Sequence, residues 1–134
     1  VTGYDLDGVL VPDFEHIDSI TTSNEFYNLL LAVKPLFVPR GDYVIITARD
    51  AEHKSATHTW ARRHLTNRPQ DIYQSRLTDE TPAEYKCRML NTRPHIAYYI
   101  ESSADIVAEM RPNTKYAQVM VWSEYINQQL RTLK

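Results

Sequence analysis

The chain has 134 residues, 43% hydrophobic and 24% charged, with a formal net charge of -2, and it reads as one soluble globular domain over residues 1–134. That balance argues against binding nucleic acid through bulk charge, and the single cysteine, Cys87, excludes a disulfide framework or a zinc site of several thiolates. No apolar run approaches a membrane span and no signal-peptide pattern opens the chain, so a cytoplasmic protein is expected, with little ahead of Val1.

The first β-prone run, residues 2–5, leads into Asp5-Leu6-Asp7-Gly8. Alternate residues of a strand share a face, so Asp5 and Asp7 are expected to point the same way. Two carboxylates that close are costly unless a cation or a shared proton relieves them. Gly8 allows a tight turn just beyond the second acid. The pattern implies Mg²⁺-assisted phosphoryl transfer, and an acidic turn without chemistry is the plainer alternative.

Residues 10–24 carry Asp13, Glu15, His16 and Asp18 and read as a short flap or an ordinary polar loop. Phe26, Leu29, Leu30 and Val33 then fall on one helical face, with Thr22 and Glu25 as a capping box. A strand over 43–47 delivers Thr47-Ala48-Arg49 at its end. The helix expected over 51–65 carries Lys54, His58 and Arg62 at i, i+4 and i+8, with Arg63 and Arg68 nearby. That stripe suits a phosphate backbone, although a solvated helix face is the simpler explanation.

A third strand, 71–75, precedes Arg76, a lesser candidate for substrate contact. Thr81, Pro82 and Glu84 form an N-cap, a first-turn proline and a box glutamate, which starts a helix through Tyr85–Leu90 carrying Lys86. Cys87 is expected to be a small buried residue. The run 96–100 ends at Glu101-Ser102-Ser103-Ala104-Asp105, where Ser102 or Ser103 caps a fourth helix. The last strand is expected over 117–122, with Ser123 capping a fifth helix. Tyr4, Tyr43, Tyr98, Tyr99 and Trp122 lie in or beside strands and are expected in the core.

Strands that alternate with helices predict βαβ units: an α/β, Rossmann-like three-layer sandwich around a mostly parallel five-stranded sheet. Ligands of such sheets bind beyond the carboxyl ends of the strands. Asp5 and Asp7, then Thr47, Ala48 and Arg49, then Glu101 and Asp105 would therefore meet at one edge, joined by Lys86.

Four ordered motifs, Asp5-Leu-Asp7-Gly8-Val, Ile-Ile-Thr47-Ala-Arg, Glu84-Tyr-Lys86 and Ile-Glu101-Ser-Ser-Ala-Asp105, resemble the haloacid dehalogenase-like superfamily of phosphohydrolases over nearly the whole chain. The resemblance implies that Asp5 is the nucleophile of an aspartyl-phosphate intermediate and that Asp7 is the general acid and base. It implies that Thr47 bonds a phosphoryl oxygen and that Lys86 offsets negative charge, with Thr47, Ala48 and Arg49 against the substrate. Mg²⁺ would be held by the Asp5 carboxylate, the Asp7 main-chain carbonyl and an acid of the fourth motif, Glu101 or Asp105. Glu101 replaces the usual leading aspartate, and in a two-acid alignment Ser102 occupies the metal-ligand position.

The intervals between motifs leave no room for a cap domain, so an open site is expected. Its substrate would be a phosphorylated small molecule or a macromolecular phosphomonoester; a nucleotide or nucleic-acid terminal phosphate stands slightly ahead of sugar phosphates, while nucleic acid as a general partner is not favoured. Phosphotransfer to an acceptor other than water, and a catalytically silent binding or assembly domain, are the alternatives.

Overall fold

The computed structural model describes residues 1–13 and 23–132. Five strands, β1 (Thr2–Tyr4), β2 (Tyr43–Ile46), β3 (Asp71–Tyr73), β4 (Tyr98–Glu101) and β5 (Gln118–Val121), form one sheet in the order β3-β2-β1-β4-β5. Every pairing is parallel, and Gly3 at the centre faces Val44 on one side and Tyr99 on the other. Among the described residues four α-helices lie between strands, α1 (Ser23–Ala32), α2 (Lys54–His64), α3 (Pro82–Asn91) and α4 (Ala104–Met110), and α5 (Trp122–Thr132) follows β5. The α/β architecture with a parallel sheet is as expected from the alternation of periods. No helix among the described residues is long and apolar enough to cross a membrane.

Side chains alternate across the sheet and build two cores. Tyr4, Tyr43, Ile45, Ile100 and Met120 pack with Leu30, Trp60 and Ala61 in one layer. Val44, Ile46, Tyr99 and Val119 pack with Tyr85, Leu90, Val107 and Met110 in the other. The Trp60 indole N–H donates to the Val33 carbonyl at 2.6 Å, which ties α2 to the end of α1. Of the stripe expected on α1, Leu30 is buried and Val33 packs against the core, whereas Leu29 is 37% exposed. Thr22, and with it the expected capping box, lies outside the described residues, as do Glu15, His16 and Asp18.

The boundaries differ from expectation where neighbours override local pattern. The capping box at α3 forms as read: Thr81 Oγ1 accepts from Glu84 N at 3.1 Å and Glu84 Oε1 accepts from Thr81 N at 3.0 Å. Ser103, rather than Ser102, caps α4 by accepting from Ile106 N at 3.3 Å. Ser123 lies inside α5, because the helix starts at Trp122 directly after β5. Tyr98 opens β4 and is 45% exposed rather than core. Cys87 is buried with Sγ 3.8 Å from the Met110 carbonyl oxygen, and burial pushes its thiol pKa up.

Candidate active site

A cavity of about 490 Å³ opens at the carboxyl ends of β1, β2 and β4, and Asp5, Asp7, Thr47, Ala48, Arg49, Lys86 and Glu101 all line it. Its floor is a buried cluster. Asp5, the residue after β1, is 5% exposed and Glu101, the last of β4, is wholly buried. Lys86 reaches both from α3, with Nζ 2.5 Å from Glu101 Oε1 and 3.3 Å from Asp5 Oδ1. Lys86 occupies the inward face of α3, three residues after Ala83 and four before Leu90, both buried. An ammonium on an apolar helical stripe needs partners, and two carboxylates supply them.

The cluster divides one cation unequally between two acids. Burial raises the Asp5 pKa to about 7; Lys86 opposes that rise and Glu101 adds to it. Burial also acts on Glu101, but the closer Lys86 contact outweighs it and holds Glu101 below its usual value. For Lys86, burial favours the neutral amine, and the two carboxylates overcome it and hold the pKa up. The Tyr99 hydroxyl lies 3.2 Å from Glu101 Oε1, and burial followed by the adjacent carboxylates raises its pKa well above the usual phenol value. Tyr99 and Glu101 stand two apart on β4 and so share a face, a signal present in the sequence. A Cβ on Gly3 would come 3.1 Å from the Tyr99 ring, so the glycine leaves room for this side chain.

Glu101 presents no free oxygen to the cavity. Its Oε2 accepts from Ser102 N, Ser103 N and Ser102 Oγ at 3.1, 3.1 and 3.2 Å, while Lys86 and Tyr99 take Oε1. Asp105 is exposed in the first turn of α4, outside the cavity lining, where its charge suits the helix dipole. Of the four residues read as metal ligands, Asp5, Asp7 and Glu101 line one cavity and Asp105 does not. Ser102 Oγ lies 3.0 Å from Asp5 Oδ2, on the other side of that carboxylate from the Leu6 N–H. For a hard cation the Asp5 carboxylate and Ser102 hydroxyl fit a weak site, since Mg²⁺ accepts one carboxylate when waters and substrate phosphate fill its shell. Among the described residues, the group whose ligand atoms lie within 4.8 Å of one another is instead Asp50, Glu52 and His53 at the cavity mouth.

The β2 side of the cavity is wetter. Arg49 forms a two-point pair with Asp7, Nε to Oδ2 at 2.9 Å and Nη2 to Oδ1 at 2.7 Å, with the Asp7 side chain 27% exposed. Arg49 Nη1 also donates to Thr57 Oγ1 on α2 at 3.2 Å. Thr47 is buried, and its Oγ1 accepts from Arg49 N at 3.2 Å. Arg76 lies outside the lining and braces the loop instead, bonding the carbonyls of Ala48 and Glu80 and the Asp50 carboxylate.

Gly8 closes the turn after Asp7 with φ +86°, and a Cβ there would meet Ser102 Cβ at 2.7 Å. The turn is cinched by Gly8 N to Val11 O at 2.7 Å and by Leu10 N to Leu6 O at 3.0 Å. Sequence reasoning missed Asp50 and His53 as cavity residues, which belong to no motif, while Pro82, Ser103 and Ile106, in or beside the third and fourth motifs, were not read as lining it. Asp13, from the segment read as a flap, also lines the cavity. No protein-family model, curated protein or solved structure matches this chain, so the cavity is read from its own residues.

Proposed function

We propose that the cavity is a phosphoryl-transfer site and the protein an uncapped phosphatase of the haloacid dehalogenase-like kind, acting on phosphomonoesters. The observation that carries this reading is the placement of Asp5. A carboxylate at the carboxyl end of the central strand, held by the Leu6 N–H at 2.9 Å and by Lys86, faces an open polar cavity. Its fixed position beside Lys86, at the floor of the cavity, suits a nucleophile.

In the proposed reaction an Asp5 oxygen attacks phosphorus, the ester P–O bond breaks, and the leaving oxygen takes a proton from Asp7. Asp7 then removes a proton from water, whose oxygen attacks phosphorus and frees Asp5 and inorganic phosphate. Arg49 holds Asp7 in place and, through its Thr57 contact, joins that acid to α2. Thr47 and the adjoining main chain of Ala48 and Arg49 would receive the phosphoryl oxygens, and Lys86 offsets charge on Asp5. Mg²⁺, held by the Asp5 carboxylate and the Ser102 hydroxyl, would supply Lewis-acid stabilisation of the phosphoryl oxygens.

Three features favour a second reading, a silent phosphate-binding domain: Ser102 as the neutral residue beside Asp5, the engaged oxygens of Glu101 and the Arg49 clamp on Asp7. Release of phosphate from an aryl phosphate in millimolar Mg²⁺, measured for wild type and Asp5→Asn, separates the two. Phosphatase chemistry predicts metal-dependent turnover that drops at least ~1000-fold in the variant. Equal rates for the two proteins, or a folded wild type with no turnover on any phosphomonoester, would reject it.

A further inference from the structure

We infer that the exposed ridge of α2 is a backbone-binding track for a single nucleic-acid strand whose terminal phosphate enters the cavity. The inference rests on the phosphoryl-transfer reading for that terminal phosphate, and on separate observations for the track. Lys54, His58 and Arg62 stand at i, i+4 and i+8 on one helical face, about 12 Å from first to last at 1.5 Å per residue. At ~3.4 Å per stacked nucleotide this spans about three phosphates.

The ridge connects two hollows. Its beginning adjoins the cavity, since His53, the residue before α2, is one of the lining residues. Its far part forms the wall of a second hollow of about 190 Å³, where His58 and Arg62 meet Arg68 and the start of β3. His58 is half-buried in this wall, and its Nε2 is sealed from the surface without a hydrogen-bond partner. Asp71 is the acid of this hollow, and its Oδ1 already accepts from Ile72 N at 2.8 Å.

Among the described residues Lys54, Arg62 and Arg68 have no ion pair, a state they share with Lys34, Arg40, Arg63, Arg93, Lys115 and Arg131. At the cavity mouth Asp50 is turned to Arg76 at 3.3 Å, and Glu52 lies 3.5 Å from His53. In a chain of net charge -2, Lys54, Arg62 and Arg68, on or just after one helix, form a local cationic surface suited to a polyanion. The ridge carries no exposed aromatic ring for base stacking, so recognition runs through phosphates and is indifferent to sequence.

The test is fluorescence anisotropy with a labelled, phosphate-terminated oligothymidylate, beside kcat/KM for that strand and for an aryl phosphate. Three cations on single-stranded phosphates predict a log–log salt slope of about -2, or roughly 15-fold weaker binding between 50 and 200 mM salt. Arg62→Ala with Arg68→Ala should bring the slope to about -0.7 and lower the strand-to-aryl-phosphate ratio of kcat/KM at least tenfold. Strand binding too weak to measure at 50 mM salt, or the same slope in the double variant, would overturn the track. If neither the aryl phosphate nor the strand is turned over while the strand binds with the expected slope, the phosphoryl-transfer reading fails and the track stands.

Discussion

The two sides of the cavity use the same chemical groups under opposite conditions. On the β1–β4 side, Lys86 joins Asp5 and Glu101 in a cluster whose side chains are all under a tenth exposed. On the β2 side, Arg49 joins Asp7 where the acid is 27% exposed. Water screens the second pair and leaves it free to exchange partners, while the first gains from low dielectric and loses heavily if any member is removed. Burial, not the identity of the charges, makes one side a fixed cluster and leaves the other open to solvent.

Removing one cation from each side breaks that comparison most sharply. Lys86→Met should lower stability by about 3–5 kcal/mol in denaturant titrations, because Glu101 is left buried without its counter-charge. Arg49→Ala should cost about 1 kcal/mol or less by the same measurement. Equal losses would mean that the buried cluster takes up enough water to screen it.

Gly8→Ala probes the turn that places Asp7 between the two sides. The positive φ and the approach to Ser102 together predict a loss of about 2 kcal/mol, read from thermal melting at constant pH. Ser102→Asp adds a third carboxylate to the buried side. The variant should melt lower than wild type in chelator, regain the difference in Mg²⁺, and bind Mg²⁺ about tenfold more tightly by calorimetry. Unchanged Mg²⁺ affinity would place the cation elsewhere.

The smallest effect concerns the support beneath α3. Glu80 pairs with Arg88 through 2.7 and 2.9 Å contacts and accepts from Leu77 N, and chiefly the Arg88 hydrogen bond lowers its pKa to about 2. A carboxyl whose folded value lies below its unfolded 4.5 stabilises fully above that value and loses its contribution as pH falls toward 2. Wild type should therefore lose more melting temperature between pH 5 and pH 2.5 than Glu80→Gln, a difference differential scanning fluorimetry resolves.

Much of this arrangement was legible in the chain. Alternating periods placed the strands, the Thr81 box started α3, and the rule that ligands meet at strand ends brought Asp5, Thr47 and Glu101 to one edge. The individual roles at that edge were less legible. Glu101 and Asp105 have the spacing of two ligands, yet one is sealed beneath Lys86, Tyr99 and two main-chain N–H groups and the other faces solvent. Arg49 was expected against the substrate, and its pairing with Asp7, 42 residues away in the chain, carries no sequence signal.

By itself the sequence determined the α/β architecture, the edge where charged residues gather and the helix starts with a local signal, because periodicity and capping act over a few neighbouring residues. Tertiary structure alone decided which carboxylate is dry, which cation it shares, and which acid is left to solvent. Those outcomes depend on desolvation and on distances of a few ångströms between residues as far apart in the chain as Asp5 and Ser102. No local pattern encodes such distances.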